Sequence, residues 1–278
     1  MPRRLRLDAE LVRRGLARSR DHAAELVASG RVTVSGGAAT KPATAVTTDV
    51  AIVVREDPDR EEYVSRGGHK LSGALAAFGP AGFRVEGRRC LDAGASTGGF
   101  TDVLLRAGAA EVVAVDVGYG QLAWPLRQDE RVTVLDRTNV REVTPELVGG
   151  MVDVVVGDLS FISLLLVLEP LTGVTREDGD LALMVKPQFE VGKERLGKGG
   201  VVRDPALRAE AVATVAEAAA RIGWGARAVA TSPLPGPSGN VEFFLWLRRG
   251  PAGIDRDDID RAVQGGTIAG APSDRLDP

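Results

Sequence analysis

The sequence predicts an α/β protein in which helices separate the strands of a seven-stranded mixed sheet, preceded by a small α+β unit. From residue 64 onward, apolar strand-like runs alternate with helix-like stretches, which is typical of a largely parallel sheet. One of these runs leads into a glycine-rich turn and then into a helix. The first 31 residues carry eight arginines and four acids, a net charge of +4 within a chain of formal charge −3. The fold class and a division into two parts follow from these observations.

The N-terminal unit, residues 1–55, is predicted to contain two short helices and a small sheet. Apolar side chains fall on one helical face before Gly15, which ends the first helix. Ser19 can cap the second helix, which ends at Gly30. Alternating or apolar residues then predict strands at residues 31–34 and 50–54.

The remainder of the chain is predicted to form a linker, one large unit and a tail. Residues 56–63 are highly charged with a central proline, the composition of a linker. The large unit spans residues 64–250, and we expect the Asp-rich residues 251–278 to be poorly ordered. Its predicted strands are residues 89–93, 112–116, 131–135, 152–157, 180–186, 226–231 and 241–247, and its main predicted helices are 68–78, 98–107 and 205–222.

Composition excludes several classes of protein. With 44% hydrophobic and 26% charged residues, the chain has the profile of a soluble globular protein. The single cysteine, Cys90, rules out an internal disulfide and a Cys-rich zinc site, and two histidines poorly supply a catalytic triad or a His-based metal site. The longest apolar stretch, residues 161–168, is far shorter than the roughly 20 residues that cross a bilayer. We therefore expect a cytoplasmic protein without a metal or a membrane partner.

The glycine-rich turn that begins at Gly94 predicts a cofactor site. Glycine lets the backbone approach a ligand where a Cβ atom would collide. The turn does not match the dinucleotide fingerprint Gly-x-Gly-x-x-Gly, and Asp92 at the end of the preceding strand would repel a pyrophosphate. A carboxylate there suits the cationic methionine end of S-adenosylmethionine. The sequence therefore favours a methyltransferase cofactor site over a dinucleotide site.

Two further acids end the next two predicted strands. Asp116 can accept hydrogen bonds from ribose hydroxyls, and Asp136 is similarly placed to meet the adenine amino group. The candidate cofactor-binding residues are therefore Asp92, Gly94, Ala95, Ser96, Thr97, Gly98, Phe100, Asp116 and Asp136.

Charged residues at three other strand ends predict an acceptor site. Asp158 follows the fourth strand and Lys186 follows the fifth, while Glu242 begins the last. If the last strand is antiparallel, all three share the rim at which open α/β sheets bind ligands. A ribose 2′-hydroxyl is a poor nucleophile and benefits from a nearby base. We expect Lys186 to engage the hydroxyl proton. Asp158 and Glu242 would orient the lysine amines, and Lys70 would complete the cluster.

The same four residues, in the order Lys-Asp-Lys-Glu, match the tetrad of the FtsJ-like ribose 2′-O-methyltransferases. More specifically, the sequence resembles the TlyA family in several motifs: Ser65-Arg66-Gly67-Gly68-His69-Lys70-Leu71, residues 91–101, residues 116–122, residues 158–164, Lys186-Pro187-Gln188-Phe189-Glu190 and residues 232–240. The resemblance spans nearly the whole chain. It implies a Rossmann-like class I methyltransferase that modifies the 2′-hydroxyl of cytidine in 16S or 23S ribosomal RNA, on free RNA or in ribosomal subunits.

The N-terminal unit resembles the S-four RNA-binding domain. The matching segments are Arg6-Leu7-Asp8, residues 16–20, residues 24–27 and residues 30–36. In that family a basic helix pair lies on structured RNA, and its arginines contact phosphates. The resemblance implies RNA binding by Arg3, Arg4, Arg6, Arg14, Arg18, Arg20 and Arg31.

Three other functions remain open from the sequence. The segment Asp158-Leu159-Ser160-Phe161 faintly resembles the motif with which nucleobase N-methyltransferases grip an exocyclic amine, although that chemistry does not call for two lysines and a glutamate. Some members of the TlyA family carry the name hemolysin, but a lytic protein would need an insertable segment. A binding-only RNA chaperone would leave the cofactor turn and the tetrad unused.

Overall fold

The computed structural model describes residues 4–17, 19–55, 63–236, 238–265 and 267–269. Its contacts divide the chain into two compact units, Met1–Glu62 and Tyr63–Pro278. Most of the predicted linker, residues 56–62, lies outside the described residues, as do Arg3 and Arg18.

The N-terminal unit contains both predicted helices. Ser19 caps the second of them, since its Oγ accepts a hydrogen bond from the His22 backbone N–H at 3.1 Å. One sheet pairs residues 4–6 with residues 45–47, and in a second sheet residues 32–34 pair with residues 37–38 on one side and 52–54 on the other. Buried Leu7, Leu11 and Leu26 form the centre of the core. The elements in chain order are β1 (Arg4–Arg6), α1 (Leu7–Arg13), α2 (Arg20–Ala28), β2 (Val32–Val34), β3 (Gly37–Ala38), β4 (Ala45–Thr47) and β5 (Ile52–Val54).

The second unit is built around one mixed sheet, and all seven predicted strands are present. These are β6 (Arg89–Ala93), β7 (Glu111–Val115), β8 (Val132–Leu135), β9 (Val152–Gly157), β10 (Thr175–Val185), β11 (Trp224–Thr231) and β12 (Phe243–Arg249), and a short eighth strand is β13 (Thr267–Ala269). The helices are α3 (Gly67–Phe78), α4 (Gly99–Arg106), α5 (Trp124–Arg127), α6 (Pro145–Val148), α7 (Leu168–Gly173), α8 (Pro187–Glu190), α9 (Pro205–Arg221) and α10 (Arg256–Val263). The α/β prediction is confirmed.

The direction of β12 decides where the acceptor residues meet. The strand order is β13-β11-β12-β10-β9-β6-β7-β8, and β10, β9, β6, β7 and β8 are mutually parallel. Strand β12 runs antiparallel to β10, with Phe243 opposite Val185. The start of β12 therefore lies at the carboxyl ends of the parallel strands, as the acceptor-site hypothesis requires.

The expectation of a poorly ordered tail is wrong for the described part of residues 251–278. Helix α10 begins with a capping box in which Asp255 and Asp258 each accept a hydrogen bond from the backbone N–H of the other. Ile259, Ala262 and Val263 are buried at helical spacing, and β13 pairs with β11. The acids that suggested a solvated tail instead cap a helix. Residues 266 and 270–278 lie outside the described residues.

Candidate active site

A cavity of about 260 Å³ opens at the carboxyl ends of β6, β9 and β10. Its walls come from the start of α3 and the segment before it, from the glycine-rich turn after β6 and the start of α4, and from the segments after β9 and β10. The lining residues are Ser65, Arg66, Gly67, Lys70, Gly94, Ala95, Ser96, Thr97, Gly99, Phe100, Asp158, Ser160 and Lys186. The predicted cofactor turn and three of the four predicted catalytic residues therefore border the same space.

The four candidate catalytic residues form a chain of ion pairs with alternating charge. Glu242 Oε2 lies 2.5 Å from Lys70 Nζ, which in turn lies 3.7 Å from Asp158 Oδ2. Asp158 Oδ1 lies 2.6 Å from Lys186 Nζ. We call this arrangement the charge array. Its two positive and two negative charges balance.

The charge array is buried, apart from one carboxylate at the cavity. The side chains of Lys70 and Lys186 are 6% and 7% exposed and that of Glu242 is not exposed, whereas that of Asp158 is 22% exposed. Buried charges are tolerated when each has an opposite charge and hydrogen-bond partners. Glu242 does not line the cavity, so it acts on the cavity only through Lys70.

Neighbouring groups of the protein fix the two outer members of the charge array, Lys186 and Glu242. Lys186 directly precedes α8, and its Nζ donates a hydrogen bond to Ser160 Oγ at 2.8 Å. The carbonyl of Glu242 accepts a hydrogen bond from the Ser232 N–H at 2.8 Å, which joins the ends of β11 and β12. A Cβ atom on Gly236 would lie 2.5 Å from Glu242 Oε1, so a larger residue there would displace that carboxylate.

The glycine-rich turn follows β6 and packs closely against the segment after β9. Gly94 has a φ of +84°, and a Cβ atom there would lie 3.2 Å from the carbonyl oxygen of Asp158. Gly98, with a φ of +98°, forms the N-cap of α4. A Cβ atom on Gly99 would collide with Ser65 Oγ. The turn thus depends on glycine to bring bare backbone to the cavity.

Asp92 lies behind this turn and does not line the cavity. Its carboxyl group is fully buried; Oδ2 accepts a hydrogen bond from Thr101 Oγ1 at 2.7 Å, and Oδ1 has no hydrogen-bond partner. Burial raises the pKa of Asp92 to about 7, and Thr101 opposes that shift. An unpaired buried carboxyl oxygen behind the turn is suited to a cationic ligand.

The other two predicted cofactor acids are held by protein groups. Asp116 accepts hydrogen bonds from the Ser96 N–H at 2.8 Å and the Gly118 N–H at 2.7 Å, so it supports the turn directly. Asp136 Oδ2 lies 2.7 Å from Arg127 Nη2. Their roles toward ribose and adenine stay predictions.

The cavity is also lined by residues that sequence analysis did not single out as catalytic or cofactor-binding. Five of the nine predicted cofactor residues line it; Asp92, Gly98, Asp116 and Asp136 do not. The additional lining residues lie inside motifs already recognised by resemblance, beside Lys70, within the glycine-rich turn or after Asp158. Their position next to predicted site residues in the sequence is the signal that could have identified them. They are Ser65, Arg66, Gly67, Gly99 and Ser160.

An exposed aromatic side chain follows Ser160. Phe161 is 92% exposed and has a φ of +64°, a left-handed conformation that is costly for a residue of this size. Its ring centroid lies 5.4 Å from that of Phe189. Strained, exposed residues of this kind cluster at functional sites.

The predicted RNA-binding arginines of the N-terminal unit fall into two groups. Arg6 and Arg20 both pair with Asp8, at 2.7 and 3.2 Å, yet their side chains are 53% and 59% exposed. Arg14 is only 21% exposed and donates hydrogen bonds to the carbonyls of Val50 and Thr48. Arg14 therefore has a structural role, which its sequence pattern did not reveal.

The two remaining described arginines differ from each other. Arg4 is exposed on β1, and Arg31 Nε donates a hydrogen bond to the Arg55 carbonyl at 2.7 Å.

Over the described residues, no helix is long and apolar enough to cross a membrane. Within that same part of the chain, no group of three or more His, Cys, Asp or Glu residues could hold a metal ion.

Comparison with known proteins agrees with this geometry. A model of the FtsJ-like methyltransferase family matches residues 63–249, and a model of the S4 domain matches residues 5–52. The chain is 63% identical over 248 residues to the 16S/23S rRNA (cytidine-2′-O)-methyltransferase TlyA of Mycobacterium tuberculosis. The matched region covers 89% of this chain and 91% of that relative.

Two further relatives extend the similarity. The YqxC protein of Bacillus subtilis is 42% identical over 265 residues, covering 93% of this chain and 92% of the relative. The solved structure of a Streptococcus thermophilus protein with hemolysin in its name superimposes with a TM-score of 0.75 at 36% identity, covering 95% of each chain. The chain therefore belongs to the TlyA family of FtsJ-like methyltransferases.

Proposed function

We propose that the protein is an S-adenosylmethionine-dependent methyltransferase that modifies the ribose 2′-hydroxyl of cytidine in ribosomal RNA, 16S, 23S or both. The observation that carries this proposal is the charge array, which presents Lys186 and Asp158 to the cavity beside the glycine-rich turn. The name of the Mycobacterium tuberculosis relative supports the same reaction and substrate. An rRNA substrate also agrees with the expected cytoplasmic location.

The residues around the cavity fit S-adenosylmethionine. When bound, this cofactor supplies an electrophilic methyl group. The backbone from Gly94 to Thr97 can approach the ligand closely, and when the Asp92 carboxyl group is ionised its unpaired Oδ1 adds negative potential behind it for a cationic group. The acidic side chains of Asp116 and Asp136 lie at the ends of the next two strands, where they favour a ribose and an adenine amino group.

Lys186 engages the 2′-hydroxyl in this proposal. Its amine is oriented from two sides, by Asp158 Oδ1 and by Ser160 Oγ, which leaves the third direction toward the cavity. Lys186 acts as a base only in its neutral form, after the ammonium group has given up a proton to solvent; the free amine then receives the hydroxyl proton as the oxygen attacks the methyl group. Alignment of the hydroxyl oxygen against the methyl group supplies much of the acceleration.

The other members of the charge array orient Lys186. Asp158 contacts both lysine amines and so fixes the distance between them. Lys70 lines the cavity and holds Asp158 from the side opposite Lys186. Glu242 does not reach the cavity and is a positioning residue that holds Lys70.

The N-terminal unit binds the RNA in this proposal. Arg6 and Arg20 are anchored by a buried acid but remain more than half exposed, so their guanidinium groups can contact phosphates. Arg4 and Arg31 are further candidates, as are Arg3 and Arg18 in the residues that the structure does not describe.

The geometry disfavours the other functions. A nucleobase N-methyltransferase would use Asp158 to grip an exocyclic amine, whereas here that carboxylate pairs with two lysines. A binding-only protein would have no use for buried lysines at a cavity. The Streptococcus thermophilus relative has hemolysin in its name, whereas the cavity and the charge array of this chain favour a transferase.

Replacement of Lys186 by alanine tests the proposal. Purified protein is incubated with radiolabelled S-adenosylmethionine and separate ribosomal subunits, and the 2′-O-methylated positions are mapped. We expect Lys186→Ala to lower kcat at least about 10²-fold, the usual contribution of a general base. Lys198→Ala, at an exposed lysine, is the matched control. Near-full activity of Lys186→Ala, or a methyl group found on a base, would contradict the proposal.

A further inference from the structure

Glu190 is a largely buried carboxylate that the proposed reaction does not use. It is the last residue of α8, the one-turn helix that begins directly after Lys186. Its Oε2 accepts a hydrogen bond from Ser163 Oγ at 2.5 Å, and its Oε1 accepts one from the Leu164 N–H at 2.9 Å. Burial raises the pKa of Glu190, against the effect of both donors. Both oxygens of this costly buried group are therefore committed to one neighbouring segment.

That segment, residues 158–164, also carries the residues that hold Lys186. The contacts between it and residues 186–190 follow the order of the two chains. Lys186 contacts Asp158 and Ser160, the ring of Phe189 lies against that of Phe161, and Glu190 contacts the end of the segment. The two segments are therefore joined at both ends, inside the cavity by Lys186 and outside it by Glu190.

The joined segment contains backbone that does not hold its conformation by itself. Phe161 has a φ of +64°, which is unfavourable for a bulky residue and persists only when the surroundings enforce it. Phe161 is also almost fully exposed, so its own packing supplies little of that enforcement. Beyond it, Ser163 Oγ accepts a hydrogen bond from the Leu165 N–H at 3.2 Å, so the hydroxyl that Glu190 holds also caps the next turn.

We propose that Glu190 is a positioning residue for methyl transfer: it fixes residues 158–164 against α8, so that Asp158 and Ser160 hold the Lys186 amine toward the acceptor hydroxyl. This inference rests on the proposed function. Glu190 does not line the cavity and contacts neither the glycine-rich turn nor the charge array. Its loss therefore acts on the reaction geometry and leaves the cofactor-binding surface intact.

Two substitutions of Glu190 separate positioning from general stability. Glu190→Ala removes both hydrogen bonds. Glu190→Gln keeps a carbonyl oxygen for the Leu164 N–H and places an amide NH₂ group that can donate to Ser163 Oγ. We expect Glu190→Ala to lower kcat by about 10- to 100-fold, as small misplacements of reacting groups do, with unchanged affinity for S-adenosylmethionine. Glu190→Gln should recover most of kcat.

Glu169→Ala is the matched control, because Glu169 is an exposed glutamate on α7. A double-mutant cycle with Ser163→Ala adds a second test. If Glu190 acts through Ser163, each single substitution lowers kcat and the double variant is less impaired than the product of the two effects. Multiplicative effects would overturn the stated route.

The outcomes separate this inference from the proposed function. Wild-type protein that transfers no methyl group to ribose in rRNA would overturn the proposed function. Active wild-type protein together with a Glu190→Ala variant as active as Glu169→Ala would overturn the role of Glu190 alone. Equal loss of cofactor affinity and kcat, without recovery by glutamine, would also overturn it by showing a merely structural role. Should Glu190→Ala fail to fold, Ser163→Ala removes the same hydrogen bond from the other side and keeps the test decisive.

Discussion

The arginine pairs at Asp8 and Glu10 in the N-terminal unit and the charge array in the second unit use burial in opposite ways. At these N-terminal pairs the acid is buried: Glu10 is fully buried and its partner Arg13 is 53% exposed, whereas its second partner, the structural Arg14, is 21% exposed. Asp8 holds Arg6 and Arg20 in the same manner. In the second unit Lys70 and Lys186 are themselves buried, at 6% and 7% exposure.

This difference matches two kinds of work. A buried acid fixes the stem and orientation of an exposed arginine and leaves guanidinium N–H groups for an RNA phosphate. A buried lysine cannot reach a large partner, but it can act on a group that enters the cavity. Burial of the anion therefore suits binding, and burial of the cation suits chemistry at one atom.

The largest expected effect breaks the charge array at Lys70. Lys70→Met leaves Glu242 buried without an opposite charge, which typically costs about 3–5 kcal/mol of unfolding free energy. Lys186→Met should cost less, because its partner Asp158 retains Lys70 and is 22% exposed. Denaturant unfolding of both variants measures the difference.

The double variant Lys70→Met, Glu242→Leu provides the control for this prediction. It removes both charges and should recover much of the lost stability, since apolar replacement of a buried ion pair is often neutral. Methyl transfer should be lost in this double variant and in Lys70→Met alike, because neither retains the Lys70 amine. Equal stability of Lys70→Met and Lys186→Met would show that burial does not distinguish the two lysines.

A smaller effect separates the arginines of the N-terminal unit. Arg14→Ala removes hydrogen bonds to two backbone carbonyls and should lower stability by about 1–3 kcal/mol. Arg20→Ala should change stability little but weaken rRNA binding and reduce the salt dependence of log K by about one. Binding titrations at several salt concentrations measure this. A reduced salt dependence in folded Arg14→Ala would show that Arg14 contacts phosphate after all.

The last comparison is a pH dependence of opposite sign in the two units. The Arg13 guanidinium beside Glu10 lowers the pKa of that carboxyl to about 2, and Arg6 does the same for Asp8. Their contribution to stability is present above the ordinary pKa, near 4.5 for Glu10, and is lost as the pH falls toward 2. Asp92, with its raised pKa of about 7, contributes stability below pH 3.8 that is lost as the pH rises through 7.

Carboxyl NMR titration of the full chain checks these values directly. Asp92→Asn, which keeps an oxygen for Thr101, should remove the loss of stability between pH 4 and pH 8 and leave the acid-side loss unchanged. Titration of Asp92 near pH 4 in the folded protein would contradict this assignment of signs.

Much of the fold and part of the site followed from local sequence. The apolar runs predicted seven strands because a parallel strand is buried on both faces and must be apolar throughout. The turn at Gly94 and the acids at strand ends could be placed because they directly adjoin those runs. The short strands β1, β3, β4 and β13 carry no comparable signal and are not predicted, although the equally short β2 and β5 are. The Asp-rich C-terminal segment was misjudged, because its capping acids resembled a solvated tail.

The sequence by itself determined the positions of seven strands of the large sheet and of helices α3, α4 and α9, together with the glycine-rich turn and the residue types of the charge array, since each depends on neighbours along the chain. Only the tertiary structure decided that β12 runs antiparallel, that Lys70 pairs with Glu242 across 172 residues, and that Arg14 is structural while Arg20 is exposed. The physical reason is that periodicity reports whether a side chain is buried. The partner of a buried charge depends instead on which chain segments pack together, and local sequence does not specify that.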